Sequence, residues 1–189
     1  FYFSGLAALT FLTLTGMVTS VQAQQKLIPA QSEIVFVSKQ MGVSVEGHFK
    51  KFDAQVAFDP AKPEAAKINL SVDVASGTLG DPAVDAELVK PGWFGAAKFP
   101  QATFQSTQVK ALGSGKFEVT GNLMLKGMSQ SLKFPVSLSA NGANTLASGT
   151  VPIKRMAFHI GEGEWSDTSL VADEVQIKFK FALSGVSKF

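Results

Sequence analysis

The chain has 189 residues, with 17 Lys and Arg against 15 Asp and Glu, a net charge of +2 and no Cys. So small a charge, carried by dispersed rather than clustered Lys residues, offers no basic patch for nucleic acid. The lack of Cys removes thiol nucleophiles, thiolate metal sites and disulfides together. A length suited to one domain must then be stabilised by burial alone.

Residues 1–23 carry no charged side chain, and Leu6 to Val18 is apolar apart from Thr and Gly. Val21 and Ala23 place small residues where a signal peptidase reads them, and Gln24-Gln25-Lys26 opens a polar chain. The segment is expected to be a secretory signal peptide, because its apolar core is short and ends in small residues; an N-terminal membrane anchor is the alternative. Neither an initiating Met nor a basic n-region precedes it, so the sequence is expected to begin a few residues late. Residues 24–189 are then expected to be one exported domain in the periplasm, with no Cys to anchor a lipoprotein.

From Ile34 to Leu183 apolar and polar residues alternate, which is the period of a strand with one dry and one wet face. The first strand is expected over Ser32 to Lys39, and Met41-Gly42 interrupts it. Val43, Val45, Gly47 and Phe49 continue on one face, opposite Ser44, Glu46, His48 and Lys50. Further strands follow with Phe52, Ala54, Val56 and Phe58, and with Ile68, Leu70, Val72 and Val74, and Gly77 to Gly80 is expected to break the sheet. Asp81-Pro82 is an N-cap followed by Pro at the first helical position, so a short helix is expected there, stopped by Pro91-Gly92. Trp93-Phe94 then places two aromatics on a connection that could cover the end of a barrel.

Strands are next expected over Ala102 to Ala111 and Lys116 to Lys126, then through Leu132, Phe134, Val136 and Leu138. A long, less regular strand is expected from Leu146 to Ile160, with Pro152 marking an edge or bulge. After an irregular connection carrying Trp165, Val175, Ile177, Phe179, Phe181 and Leu183 alternate with Glu174, Gln176, Lys178 and Lys180. The sum is an all-β domain of about eight antiparallel strands with one helical insertion.

The dry face could enclose an apolar interior or could face lipid around a polar lumen. Membrane barrels carry Tyr and Trp girdles, whereas residues 24–189 contain no Tyr, only Trp93 and Trp165, and 13 Phe. The mature chain is therefore expected not to span a membrane. Phe36, Phe104, Phe134, Phe179 and Phe181 are expected on the dry face.

Catalytic patterns are thin. His48 sits on the wet face of its strand, and no G-x-S-x-G, H-E-x-x-H or phosphate-cradling Gly loop occurs. Asp81, Asp85 and Glu87 are explained by helix N-terminal electrostatics. No enzyme and no metal site are expected.

Several blocks occur in an order that resembles the YceI-like family of polyisoprenoid-binding, lipocalin-like periplasmic proteins. Val43-Ser44-Val45-Glu46-Gly47-His48-Phe49 is similar to its early glycine-aromatic strand, and Asp85-Ala86-Glu87-Leu88 with Trp93-Phe94 to its helix and paired aromatics. Phe99-Pro100-Gln101-Ala102-Thr103-Phe104-Gln105-Ser106-Thr107 is the most specific block, followed by Gly121 to Gly127 and by Lys154-Arg155 with Phe158. The chain departs from the family at Gln40 and Glu87, where His is frequent, at Val89, where Arg is, and at His159, where Gly is.

The resemblance implies an extended antiparallel eight-stranded lipocalin-like barrel whose apolar tunnel holds an isoprenoid lipid, such as a quinone or polyprenyl phosphate, without catalysis. Its expected lining comes from the early strands (Phe36, Val45, Phe49, Val72) and the insertion (Leu88, Trp93, Phe94). The later strands add Phe104, Leu123, Phe134, Phe158, Phe179 and Phe181. Lys154, Arg155 and His159 are the candidates to meet a head group. Burying one isoprene unit is worth roughly 3–4 kcal/mol against an association cost of about 4–15 kcal/mol, so a long chain is favoured. The alternative is a periplasmic structural or stress module with a self-filled barrel and a protein partner. The oligomeric state is not fixed by the sequence, and a homodimer is one expectation.

Overall fold

The computed structural model describes residues 24–189, so the expected signal peptide lies outside the described residues. Eleven strands are present among these residues. They are β1 (Gln24–Leu27), β2 (Glu33–Gln40), β3 (Val43–Phe49), β4 (Phe52–Ala57), β5 (Lys67–Asp73) and β6 (Gly77–Thr78), then β7 (Gln101–Gly113), β8 (Lys116–Leu125), β9 (Met128–Asn141), β10 (Asn144–Lys154) and β11 (Glu174–Ser184). One α-helix, α1 (Pro82–Leu88), lies between β6 and β7.

All pairings are antiparallel, in the order β1-β4-β5-β7-β8-β9-β10-β11-β2-β3-β6, and β1 also pairs with β11. The β1–β11 pairing closes eight strands into a barrel. At Leu183 and Ser184 the neighbour of β11 is β1, while at Gln176 to Lys180 it is β2. β1 and β2 are thus two halves of one wall strand, broken by a 3-10 turn at Pro29–Gln31. Ser32 stitches the break, its hydroxyl donating to Ile28 O and accepting from Ala182 N. β3 and β4 likewise pair with β2 and β1 respectively.

Two tight turns pair a residue held at positive φ with a glycine, which takes that conformation freely. Met41 and Gly42 (φ 47° and 80°) make the tight β2–β3 link, and Lys126 and Gly127 (φ 50° and 76°) the β8–β9 link, the geometry that two-residue hairpins require. Asp81 caps α1 by accepting from Ala83 N, with Pro82 at the first helical position.

Three expectations are corrected. β1 adds a strand before Ser32. Gly77-Thr78 does not break the sheet but pairs with Phe49 and His48. The strand expected to reach Ile160 stops at Lys154, where Arg155–Phe158 turns into a 3-10 helix and His159 takes a left-handed conformation (φ 56°). Inside the barrel the dry faces form one core, from Ile34 and Phe36 on β2 round to Leu183 on β11. Ring pairs link its lower half: Phe104 to Phe134 at 5.5 Å, Phe134 to Phe179 at 5.9 Å and Phe179 to Phe181 at 5.2 Å.

Candidate functional site

The barrel is not filled by its own side chains. Two cavities, of about 160 Å³ and 470 Å³, lie end to end inside it. Ile34, Leu70, Leu123, Ile153 and Ile177 line both, so a ring from five strands forms the waist between them. The smaller chamber is lined by apolar side chains alone. The larger chamber lies toward α1 and the connections around Trp93 and Trp165. Gln40 and Val84 line it and are also exposed, so its mouth opens between the end of β2 and the helix.

The structure places the expected lining residues as follows. Phe36, Val45, Phe49, Val72, Leu88, Trp93 and Phe94 line the larger chamber. Phe104, Phe134, Phe179 and Phe181 line the smaller, and Leu123 lines both. Phe158 lines neither; it is 1% exposed and packs into the core from the 3-10 turn after β10. That turn breaks the two-residue period, so alternation along β10 does not carry to position 158.

The three head-group candidates separate. Lys154 is exposed and pairs with Glu174 at 3.7 Å on the outer face. His159 is exposed, its Nδ1 3.0 Å from Glu162. Only Arg155 lines the larger chamber, and it is buried, at 2% exposure. Its five N–H donors meet five backbone carbonyls. Nε donates to Ala172 O (3.0 Å), Nη1 to Ile160 O and Gly161 O (2.8 and 2.9 Å), and Nη2 to Trp165 O and Val171 O (2.8 and 2.7 Å). Burial pushes its pKa below the ordinary value, opposed by the charge of Asp173, yet guanidinium stays protonated. Arg155 is a clamp that ties the β10–β11 connection together.

A second tie holds the helix. Asp85 accepts from the Thr78 hydroxyl and from Leu79 N, and these two bonds hold its carboxyl below the usual aspartate range. α1 is thereby fastened to β6 beside the mouth. Lys126, from the β8–β9 turn, reaches His159 O and Glu162, and its hydrogen bond holds the Glu162 carboxyl below the ordinary value.

Sequence reasoning missed apolar lining, Ile34, Leu70, Ile153, Ile177 and Trp165 among it, as well as polar lining. Ser38 and Gln40 share the inward register of Ile34 and Phe36 and line the larger chamber. A change from apolar to polar along one face of β2 was the signal. Ser38 Oγ and Trp93 Nε1 are buried without a hydrogen-bond partner. Among the described residues, no group of His, Asp and Glu is arranged to hold a metal, and no helix is long and apolar enough to cross a membrane.

The model of the YceI-like domain matches residues 25–183. The chain belongs to the YceI-like family. This YceI-like chain is 47% identical to Burkholderia cenocepacia BcnA, whose crystal structure superposes with a TM-score of 0.80 over 83% of this chain and 99% of that one. A UPF0312 protein of Azotobacter vinelandii is 38% identical over 94 residues, which span 50% of this chain and about half (47%) of that protein. The same fold, at 16% identity and a TM-score of 0.69, occurs in a polyisoprenoid binding domain from Saccharophagus degradans, over 85% of this chain and 97% of that one.

Proposed function

We propose that this protein is a non-catalytic carrier that holds one long isoprenoid lipid in its two-chambered tunnel, after export to the periplasm. The observation that carries the reading is the largely apolar interior, a dry chamber that shares five lining residues with a larger one. A cavity of about 470 Å³ lies within the range of small-molecule sites, about 300–1,000 Å³. Membership of the YceI-like family and the fold shared with a polyisoprenoid binding domain support the same ligand class.

The apolar walls make contacts that scale with the number of buried isoprene units and discriminate little among tails of similar length. Delipidated protein titrated with polyprenyl compounds of increasing length tests this. Affinity rises over the first several units and then levels when the tunnel is full. Uptake of no isoprenoid at any length would leave the protein-partner module as the better reading. Release by osmotic shock without detergent tests the location.

A further inference from the structure

Exposed apolar side chains gather where the larger chamber opens. On β3, Val45 lines the chamber, and Val43, two residues nearer the hairpin tip on the same face, is 67% exposed. On α1, Leu88 is buried in the lining, and Val84, one turn earlier on the same face, reaches the lining but stays exposed. In the β10–β11 connection Val171 is buried in the lining and its neighbour Leu170 is exposed. Met41 is 76% exposed at the tip of the β2–β3 hairpin, and its N–H donates to Leu170 O, which holds hairpin and connection side by side. Three apolar stripes thus run from the tunnel wall out to the rim of its mouth. We propose that this rim docks on the surface of a bilayer without net charge, so that the tunnel opens directly into lipid. The docking is read from the rim itself, and only the cargo rests on the isoprenoid reading above.

Contiguous exposed apolar surface marks an interaction site, and two observations make the partner a lipid surface of this kind. The stripes are continuous with the tunnel wall, so a lipid tail passes from one apolar medium to the other without crossing water, where each buried carbon would cost it stabilisation. The charges on the three rim elements are mostly acidic. Glu87 and Glu162 are answered by Lys90 and Lys126, and Asp173 by Arg155. Asp81 and Asp85 on the helix and Glu164 and Asp167 on the connection then stand against Lys39 on the hairpin. An acidic rim is repelled by anionic head groups, whereas basic residues are what an anionic leaflet attracts. Apolar burial in the interface is the attraction that remains.

The test is flotation of delipidated protein with phosphatidylcholine vesicles, and with the same vesicles carrying added phosphatidylglycerol. Wild type is compared with the double variant Met41→Asn/Leu170→Asn and with Leu112→Asn. Asn accepts the positive φ of position 41 (47°), and an unchanged thermal midpoint checks that the fold is kept. Leu112 is also exposed, but it lies beside the β7–β8 turn at the end of the smaller chamber. Wild type is expected to float with phosphatidylcholine and no more tightly with the anionic vesicles. The double variant is expected to bind at least about tenfold more weakly, and Leu112→Asn to bind as wild type does. A prenylated quinone supplied in the vesicles should enter the double variant more slowly, by a similar factor, yet reach the same final loading. Wild type that does not float, a double variant that floats as well as wild type, an equal loss in Leu112→Asn, or tighter binding to anionic vesicles would each overturn the docking. Quinone uptake without flotation overturns the docking and leaves the tunnel reading in place. Rim-dependent flotation without uptake of any isoprenoid upholds the docking and overturns the isoprenoid reading.

Discussion

Gly149 on β10 stands directly opposite Phe179 on β11, and the ring lies where a side chain at 149 would be. A Cβ there would come within 2.6 Å of Phe179 Cζ and 2.7 Å of Pro135 O. Phe36 lies over Gly47 in the same way, Cζ 2.3 Å from the position of the missing Cβ. Phe104 does so over Gly121, at 2.4 Å. In each case the glycine lets a ring lie flat along the wall and leaves the tunnel axis open.

Gly149→Ala is therefore expected to drive the Phe179 ring off the wall and narrow the smaller chamber. The cost of overpacking is about 1–3 kcal/mol, read from the denaturation midpoint, with reduced capacity for long isoprenoids. Replacing Phe179 by Leu in the same chain should restore part of both. Unchanged stability and loading in the single variant would mean the wall is loosely packed there.

Phe134 is buried between Phe104 and Phe179 in the dry chamber. Phe134→Asp places a carboxylate among apolar walls with no partner, which costs several kcal/mol or forces protonation. We expect lost lipid loading and a large drop in thermal midpoint. Wild-type loading would place this side chain outside the tunnel.

Arg155→Lys removes the planar fork that meets five carbonyls and leaves a point charge with three donors. Several buried carbonyls lose their partners, at about 1–3 kcal/mol each before relaxation. A loss of roughly 3 kcal/mol or more is expected, with faster amide exchange through residues 160–172. Near-wild-type stability would show that the connection holds without the clamp.

Asp85 gives a pH dependence with a definite sign. Its folded-state pKa lies below the ordinary 3.8 because Thr78 and Leu79 N donate to the carboxylate. Its contribution is therefore complete above the unfolded value and is lost as pH falls through the folded one. Stability should decline below about pH 4, and Asp85→Asn should decline less steeply over that range. Parallel profiles for the two proteins would remove Asp85 from the account.

Period-two alternation made most strands legible, because each has one dry face, and β11 shows it from Glu174 to Phe181. β1 was hidden because its one buried residue is Gln25, which holds Phe58 N by accepting at 2.7 Å and donates to Gly185 O. Polarity turned inward leaves no apolar signature. β6 was hidden because two residues, Gly77 and Thr78, are too few to alternate. The tunnel wall was legible for the same reason as the strands, whereas the polar end was not. Arg155 looked like a free cation beside Lys154, and only the folded connection reveals that carbonyls from residues 160 to 172 surround it.

The proposed lipid in the tunnel is tested most directly by native mass spectrometry of the protein purified without detergent. The expected mass exceeds that of the polypeptide by one polyprenyl compound. Organic extraction of the denatured protein should release that compound intact, because no covalent bond holds it. A spectrum of bare polypeptide, with no adduct formed when delipidated protein is offered prenylated quinones, would contradict it.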